Sequence, residues 1–327
     1  MYELEGLVEI YGLVFPSVAC LIGYVLGWKQ PSWCVNITHR VSKLLIWFVF
    51  PVLIYLSITL KLNKESLSAH WFLPAGTFII MLTGKWIGGV RSRWLSFADR
   101  SEKHTFEFMA TLPNYIFLPM VIVQTFWGPK AVALLILTTL GSEIALWVLA
   151  VPLLKERQSV DGLFNNFRNM LTPPLLALGF AVGTLASDSS GMVAFLKPAE
   201  SMISVLGFFT SALAFFLMGY HLGAVGRFEW PDKRQAFLLF HRLLLMPSLV
   251  LAALFWVNQN SVMGPEAEKV IFLIAMMPPA MASVLMADMF EGDPKFAAMT
   301  VLQGHLAGIF TIPFWLVILG KLKYFLA

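Results

Sequence analysis

The sequence predicts an all-α polytopic membrane protein with ten transmembrane helices in two inverted five-helix repeats. Three observations predict it: an apolar composition, a series of apolar runs of spanning length, and an internal match at about half the chain length. The 327 residues are 58% hydrophobic and 13% charged, with mean hydropathy +0.75. Soluble domains are about 45–50% apolar and about 25% charged, so lipid is the solvent expected for most of this chain. No long polar stretch marks a separate soluble domain. A net charge of +4 and a pI near 9.0 would suit a nucleic-acid partner. The basic residues sit instead in short loops between apolar runs, as the positive-inside rule produces, and no nucleic-acid partner is expected. Cys20 and Cys34 imply no disulfide framework, since Cys20 lies within the first apolar run. The first residues carry Glu3, Glu5 and Glu9, not the basic region of a cleaved signal, so the first run is expected to remain as a helix.

A span needs about 20 largely apolar residues. The candidates run 8–28, 40–60, 71–90, 104–127, 130–153, 170–187, 199–223, 236–257, 268–290 and 296–320. Gly128-Pro129 joins the fourth and fifth by a tight turn. Loops 1–2, 3–4, 5–6, 7–8 and 9–10 hold 15 Lys and Arg, with Arg242 counted among them, and the other side holds 7. That asymmetry puts those loops in the cytoplasm and both termini outside it. Ten spans also require both termini on one side.

Residues 110–133 (ATLPNYIFLPMVIVQTFWGPKAVA) align without a gap on 275–298 (AMMPPAMASVLMADMFEGDPKFAA). Pro113 falls on Pro278, Asn114 on Pro279, and Pro129-Lys130 on Pro294-Lys295, an offset of 165 residues. This divides the chain into repeats 1–158 and 159–327. Five spans per repeat force the second copy in from the opposite face, a device of secondary transporters. Pro113, Pro278 and Pro279 fall near the middle of spans four and nine. Proline in a helix interior removes a hydrogen bond and clashes with the preceding turn. Matching interruptions in two halves point to a substrate site, where exposed half-helix ends attract an anion or a cation. Pro113, Asn114, Pro278 and Pro279 are therefore the expected substrate-binding residues. The bland alternative is that the prolines only kink packed helices.

Glu143 near the centre of span five, and Gln303 and His305 near the centre of span ten, are candidates for substrate or coupling-ion binding, because ionisable groups at that depth are functional by default. A hydrogen bond between packed helices is the plainer reading of each. Lys85, just past the middle of span three, either snorkels to the surface or faces an anionic substrate. His241 and Arg242 read as interfacial residues at a span end. There is no HExxH zinc motif and no GxxxxGK[ST] loop, so neither a metal site nor a cofactor is expected, and no enzyme activity.

The segments LPNYIFLPMVIVQTFWGPKA and PPAMASVLMADMFEGDPKFAAMTVLQGHLAGIFTIPFW resemble the auxin efflux carrier family, which includes PIN-formed plant exporters and bacterial permeases within the bile acid/sodium symporter-like superfamily. The resemblance implies crossing broken helices four and nine, and a transport part (spans 3–5 and 8–10) that moves against a scaffold part (spans 1–2 and 6–7) in elevator fashion. It implies small organic anions as substrates, auxin-like or dicarboxylate, and a homodimer; the coupling ion expected from the buried Glu143 or His305 is a proton, with sodium the other candidate. The short loop between spans five and six favours a bacterial-type member in the inner membrane. A sodium-coupled symporter of the bile-acid type, and a non-transporting membrane sensor or structural subunit, are the alternatives.

Overall fold

The computed structural model describes residues 18–29, 40–41, 43–154, 173–187, 190–224, 228–258 and 263–326. Cys34, Lys155, Arg157 and Arg168 lie outside the described residues. Among the described residues every regular element is a helix. The longer ones are α1 Val18–Lys29, α2 Phe50–Lys61, α3 Phe72–Ser92, α4 Arg100–Thr111, α5 Phe117–Phe126, α6 Gly128–Leu154, α7 Pro173–Ala186, α8 Glu200–Ala224, α9 Lys233–Val257, α10 Pro265–Ala275, α11 Ala282–Met289 and α12 Pro294–Leu326. Four helical stretches are long and apolar enough to cross a membrane alone: Lys64–Ser92, Gly128–Leu154, Lys233–Val257 and Pro294–Lys321. The pair Ser190–Ile203 and Val205–Leu217, bent by 46°, makes a fifth where it is counted as one span rather than a re-entrant loop. The large exposed side chains on these helices include Trp86, Phe310 and Phe314, as expected where lipid replaces water. This is an all-helical, multi-pass membrane protein.

The chain divides into two compact units. The first comprises Met1–Pro74, Ile116–Leu140 and Asn169–Gly226. Within it α2 packs on α7, where the Tyr55 hydroxyl and Thr184 Oγ1 are 3.3 Å apart, and α5 packs on α8. The turn between α5 and α6 is made by Gly128, whose φ of 76° suits glycine alone without strain. Helices α1 and α8 meet through two small-residue seams, Gly23/Gly27 and Gly219/Gly223. A Cβ on Gly219 would stand 1.8 Å from the Cys20 carbonyl oxygen, and one on Gly23 2.1 Å from that of Phe216. In lipid, where no hydrophobic force drives helices together, such close backbone approach supplies the association. Gly219→Val is accordingly expected to force the pair apart and lower stability by about 1–3 kcal/mol, read as a fall in Tm of the purified protein.

The second unit comprises Ala75–Tyr115, Gly141–Arg168 and Arg227–Ala327. Here α4 packs on α9, α11, α12 and the end of α6, around the fully buried Phe106, Phe108, Met109 and Phe272. Its polar frame is made at helix starts. Asp99 caps α4, its Oδ1 accepting from Glu102 N at 2.9 Å, and the Glu102 carboxylate accepts from Ala98 N and pairs with Arg234 of α9. Asp232 and Gln235 form a reciprocal capping box on α9. Burial pushes the Asp232 carboxyl up, but the hydrogen bonds and charge of Arg234 outweigh it and hold the group below its usual value. Asp232→Ala is expected to destabilise by about 1 kcal/mol at neutral pH. Because the folded value is depressed, that contribution is present above the ordinary Asp range and is lost as pH falls through it. Thermal melts of both proteins across that acidic range test the sign.

Candidate functional site

Helix α4 stops at Thr111 and α10 at Ala275, and in each case a short non-helical segment follows: 112–116 and 276–281. Within the second unit residues 112–114 and 278–280 lie side by side and antiparallel. Asn114 N donates to the Pro278 carbonyl at 2.8 Å, and Ala280 N donates to the Leu112 carbonyl at 3.2 Å. Pro113 and Pro279 face each other at the centre of this two-residue ladder. They occupy a pair at which the ladder calls for no N–H, because the bonds are made by the residues on either side. Proline can therefore stand at both positions without removing a ladder bond, while its ring stops each helix. The freed backbone groups, buried at this depth, are satisfied by the opposite break, which is what an apolar surrounding demands.

Two side chains extend the ladder. His305 on α12 places Nε2 3.2 Å from Asn114 Nδ2, and its Nδ1 is 2.8 Å from the Val301 carbonyl. A carbonyl only accepts, so Nδ1–H donates to Val301. In the neutral ring Nε2 is then the acceptor and the Asn114 amide nitrogen the donor. This fixes the Asn114 side chain and leaves its Oδ1 without a hydrogen-bond donor among the described residues. Helix α12 passes the ladder at Gly304, where a Cβ would stand 3.0 Å from Pro279 Cδ and 3.4 Å from Pro278 Cβ. The next residue along the first break, Tyr115, donates its hydroxyl to Glu143 Oε1 at 2.8 Å. Pro113, Asn114, Pro278, Pro279 and His305 are thus one cluster, and Glu143 joins it through Tyr115.

The other two expected residues lie elsewhere. Gln303 donates Nε2 to the Glu229 carbonyl at 2.9 Å and to Gln235 Oε1 at 3.2 Å, fastening α12 to the cap of α9. Lys85 lines a separate cavity with Ser92, Arg93, Lys103 and Glu107, and no residue of the breaks lines it.

The interfacial reading of His241 and Arg242 is corrected. Both are fully buried, in a π-helical turn at His241–Leu245 inside α9. His241 Nε2 is 3.3 Å from the carbonyl oxygen of Ala110, in the last turn of α4. None of the three guanidinium nitrogens of Arg242 has a hydrogen-bond partner among the described residues. The point where a Gly84 Cβ would stand is 2.5 Å from the Ala110 oxygen and 3.5 Å from Arg242 Nη1, so α3, α4 and this cation converge one turn before the first break. Arg242 is nine residues into α9, about 13 Å from its first residue at the rise of an α-helix. An expected start at residue 236 hid that depth, and the capping box of Asp232 and Gln235 was the signal that would have moved the start outward.

Against known proteins, the family described as "Membrane transport protein" matches residues 10–167 and 162–316, nearly the whole chain. No curated protein matches. The chain belongs to this membrane transport protein family, that of the auxin efflux carriers and their PIN-like relatives.

Proposed function

We propose that the protein is a secondary active transporter of small organic anions, carboxylates of the auxin-like or dicarboxylate kind, working by elevator-like alternating access. The observation that carries this is the pairing of the two helix breaks at Pro113 and Pro279. Interrupted helices in corresponding places of two repeats are where transporters hold substrate. The ladder supports the duplication itself. Under the offset of 165 residues Pro113 maps to Pro278 and Asn114 to Pro279. The observed pairs, Pro113 with Pro279 and Asn114 with Pro278, then exchange with one another, as a two-fold axis through the ladder requires. On this reading ten spans form two inverted repeats, 1–158 and 159–327. Spans 3–5 and 8–10 move against spans 1–2 and 6–7.

In this reading Asn114 and the backbone of the breaks bind the substrate, and His305 positions Asn114. Arg242 supplies the positive charge that selects anions, since a buried guanidinium without a carboxylate partner leaves a favourable place for one. Glu143, held by Tyr115, is the residue proposed to take the coupling proton. The bacterial inner membrane, extracytoplasmic termini and a homodimer belong to the same proposal. The test is flux into liposomes, by charge movement and by radiolabel, over a panel of small carboxylates and indole acids. It is run with a proton gradient and, separately, with a sodium gradient. Saturable uptake of a carboxylate that Asn114→Ala loses supports the reading. Ligand binding without flux for every compound would leave a sensor, and sodium-dependent flux would replace the proton by sodium.

A further inference from the structure

The second unit holds a cavity of about 610 Å³ that the transport reading does not use. Its wall is formed by Lys85, Trp86 and Arg93 on and just after α3, Lys103 and Glu107 on α4, and Leu153 at the end of α6. Three cations thus face one carboxylate, and Glu107 already accepts a hydrogen bond from the Ser92 hydroxyl. None of Lys85, Arg93 and Lys103 is ion-paired with a carboxylate among the described residues. The site therefore carries uncompensated positive charge.

Its setting is apolar on one side. Leu82, Trp86 and Val90 also line the cavity, and all three are exposed, Trp86 by 69%. On a membrane helix such a stripe faces acyl chains. Lys85 lies seven residues before the end of α3, about 10 Å inward. A lysine at that depth extends its stem toward the end of the helix, where Arg93 follows α3 and Lys103 stands in the first turn of α4. Trp94, two residues past α3, is of the type that settles at the headgroup level. A ligand satisfying both walls has an anionic phosphate for the three cations and an apolar tail for Leu82, Trp86 and Val90.

We propose that this cavity binds the phosphate headgroup of an anionic membrane lipid, with Lys85, Arg93 and Lys103 as its cationic ligands and Trp86 against the acyl chain. Basic pockets between membrane helices recognise lipid phosphates by this chemistry. A soluble phosphate shares the headgroup chemistry but makes no use of the apolar wall.

The test is tryptophan quenching in the full-length protein, reconstituted in phosphatidylcholine bilayers doped with either brominated phosphatidylglycerol or brominated phosphatidylcholine. Trp86→Phe isolates the signal of this site. Quenching of the Trp86 component is expected at about tenfold lower mole fraction of phosphatidylglycerol than of phosphatidylcholine. The preference is expected to vanish in the triple variant Lys85→Gln/Arg93→Gln/Lys103→Gln and to shrink in Lys85→Gln alone, which preserves the fold should the triple variant fail. Equal quenching by both lipids, or a preference unchanged in Lys85→Gln, overturns the proposal. Loss of the phosphatidylglycerol signal on adding inorganic phosphate or glycerol 3-phosphate would assign the cavity to a soluble phosphate and overturn the lipid.

Discussion

Asn114→Asp is expected to abolish anion uptake while leaving the protein folded. The substitution keeps the size of the side chain and its Oδ1, and the backbone bond from residue 114 to the Pro278 carbonyl at 2.8 Å does not depend on the side chain. What changes is charge and donor capacity. A carboxylate at residue 114 repels an anionic substrate, and it cannot donate to His305 Nε2; the contact survives only if the ring takes a proton and donates to the carboxylate. Like charges at short range in a low-dielectric site oppose each other by several kcal/mol, which corresponds to a loss of affinity beyond a hundredfold. Asn114→Ala, which only deletes the amide, forfeits the smaller contribution of a hydrogen bond to a charged group, about 1.5–3 kcal/mol, or roughly ten- to a hundredfold in binding. His305→Phe should fall below both, because it frees Asn114 to turn without removing it. It is expected to raise KM about tenfold or less with kcat little changed. The order Asp, then Ala, then Phe, measured by radiolabelled uptake at equal protein content, is the signature of a direct anion contact at Asn114. An Asp variant that transports as well as the wild type would remove Asn114 from the binding of anions.

The breaks were legible in the sequence because proline writes its effect locally. Two prolines at equal spacing in two aligned segments need no tertiary knowledge to be read as interruptions. The pairing of Pro113 with Pro279 was not legible, since nothing in either segment states that they meet. His305 drew attention by its depth, yet its bond to Asn114 spans 191 positions. Gln303 looked equally deep, nine residues into α12, but the segment before α9 folds against it and takes its amide at the Glu229 carbonyl. Hydropathy measures how far a residue lies along its own helix and says nothing of what another segment brings alongside. Lys85 shows the same limit: its position along α3 allows two readings, and nothing in the sequence places Arg93 and Lys103 on the same cavity. Arg242 was misread for a related reason. A charged residue six positions inside an expected span looks like a boundary, and the π turn at His241–Leu245 that carries it into the interior leaves no mark in the composition.

Arg242→Met is the second large effect expected, and it separates function from fold. If Arg242 is held for the substrate, its buried charge is a burden on the empty protein. An ion taken out of water without a partner loses several kcal/mol of solvation, and a neutral side chain of similar length in its place relieves that loss. The variant should melt at the same temperature as the wild type or higher. Its transport of carboxylates should fall by about thirtyfold or more, since truncating one member of a desolvated charge pair costs about 2–5 kcal/mol of binding. If the guanidinium instead serves the carbonyl end of α4 near Ala110, where a cation complements the helix dipole, the opposite is expected. Arg242→Met would then lower Tm, and uptake would decline only as far as folded protein is lost. Arg242→Lys sharpens the distinction. It restores the charge but not the planar fork that holds a carboxylate by two bonds, so it should recover stability in the second case and only part of the uptake in the first. Measuring Tm and initial uptake rate on the same three preparations decides between them. A stable, inactive Arg242→Met places the selecting charge of the carrier at this residue.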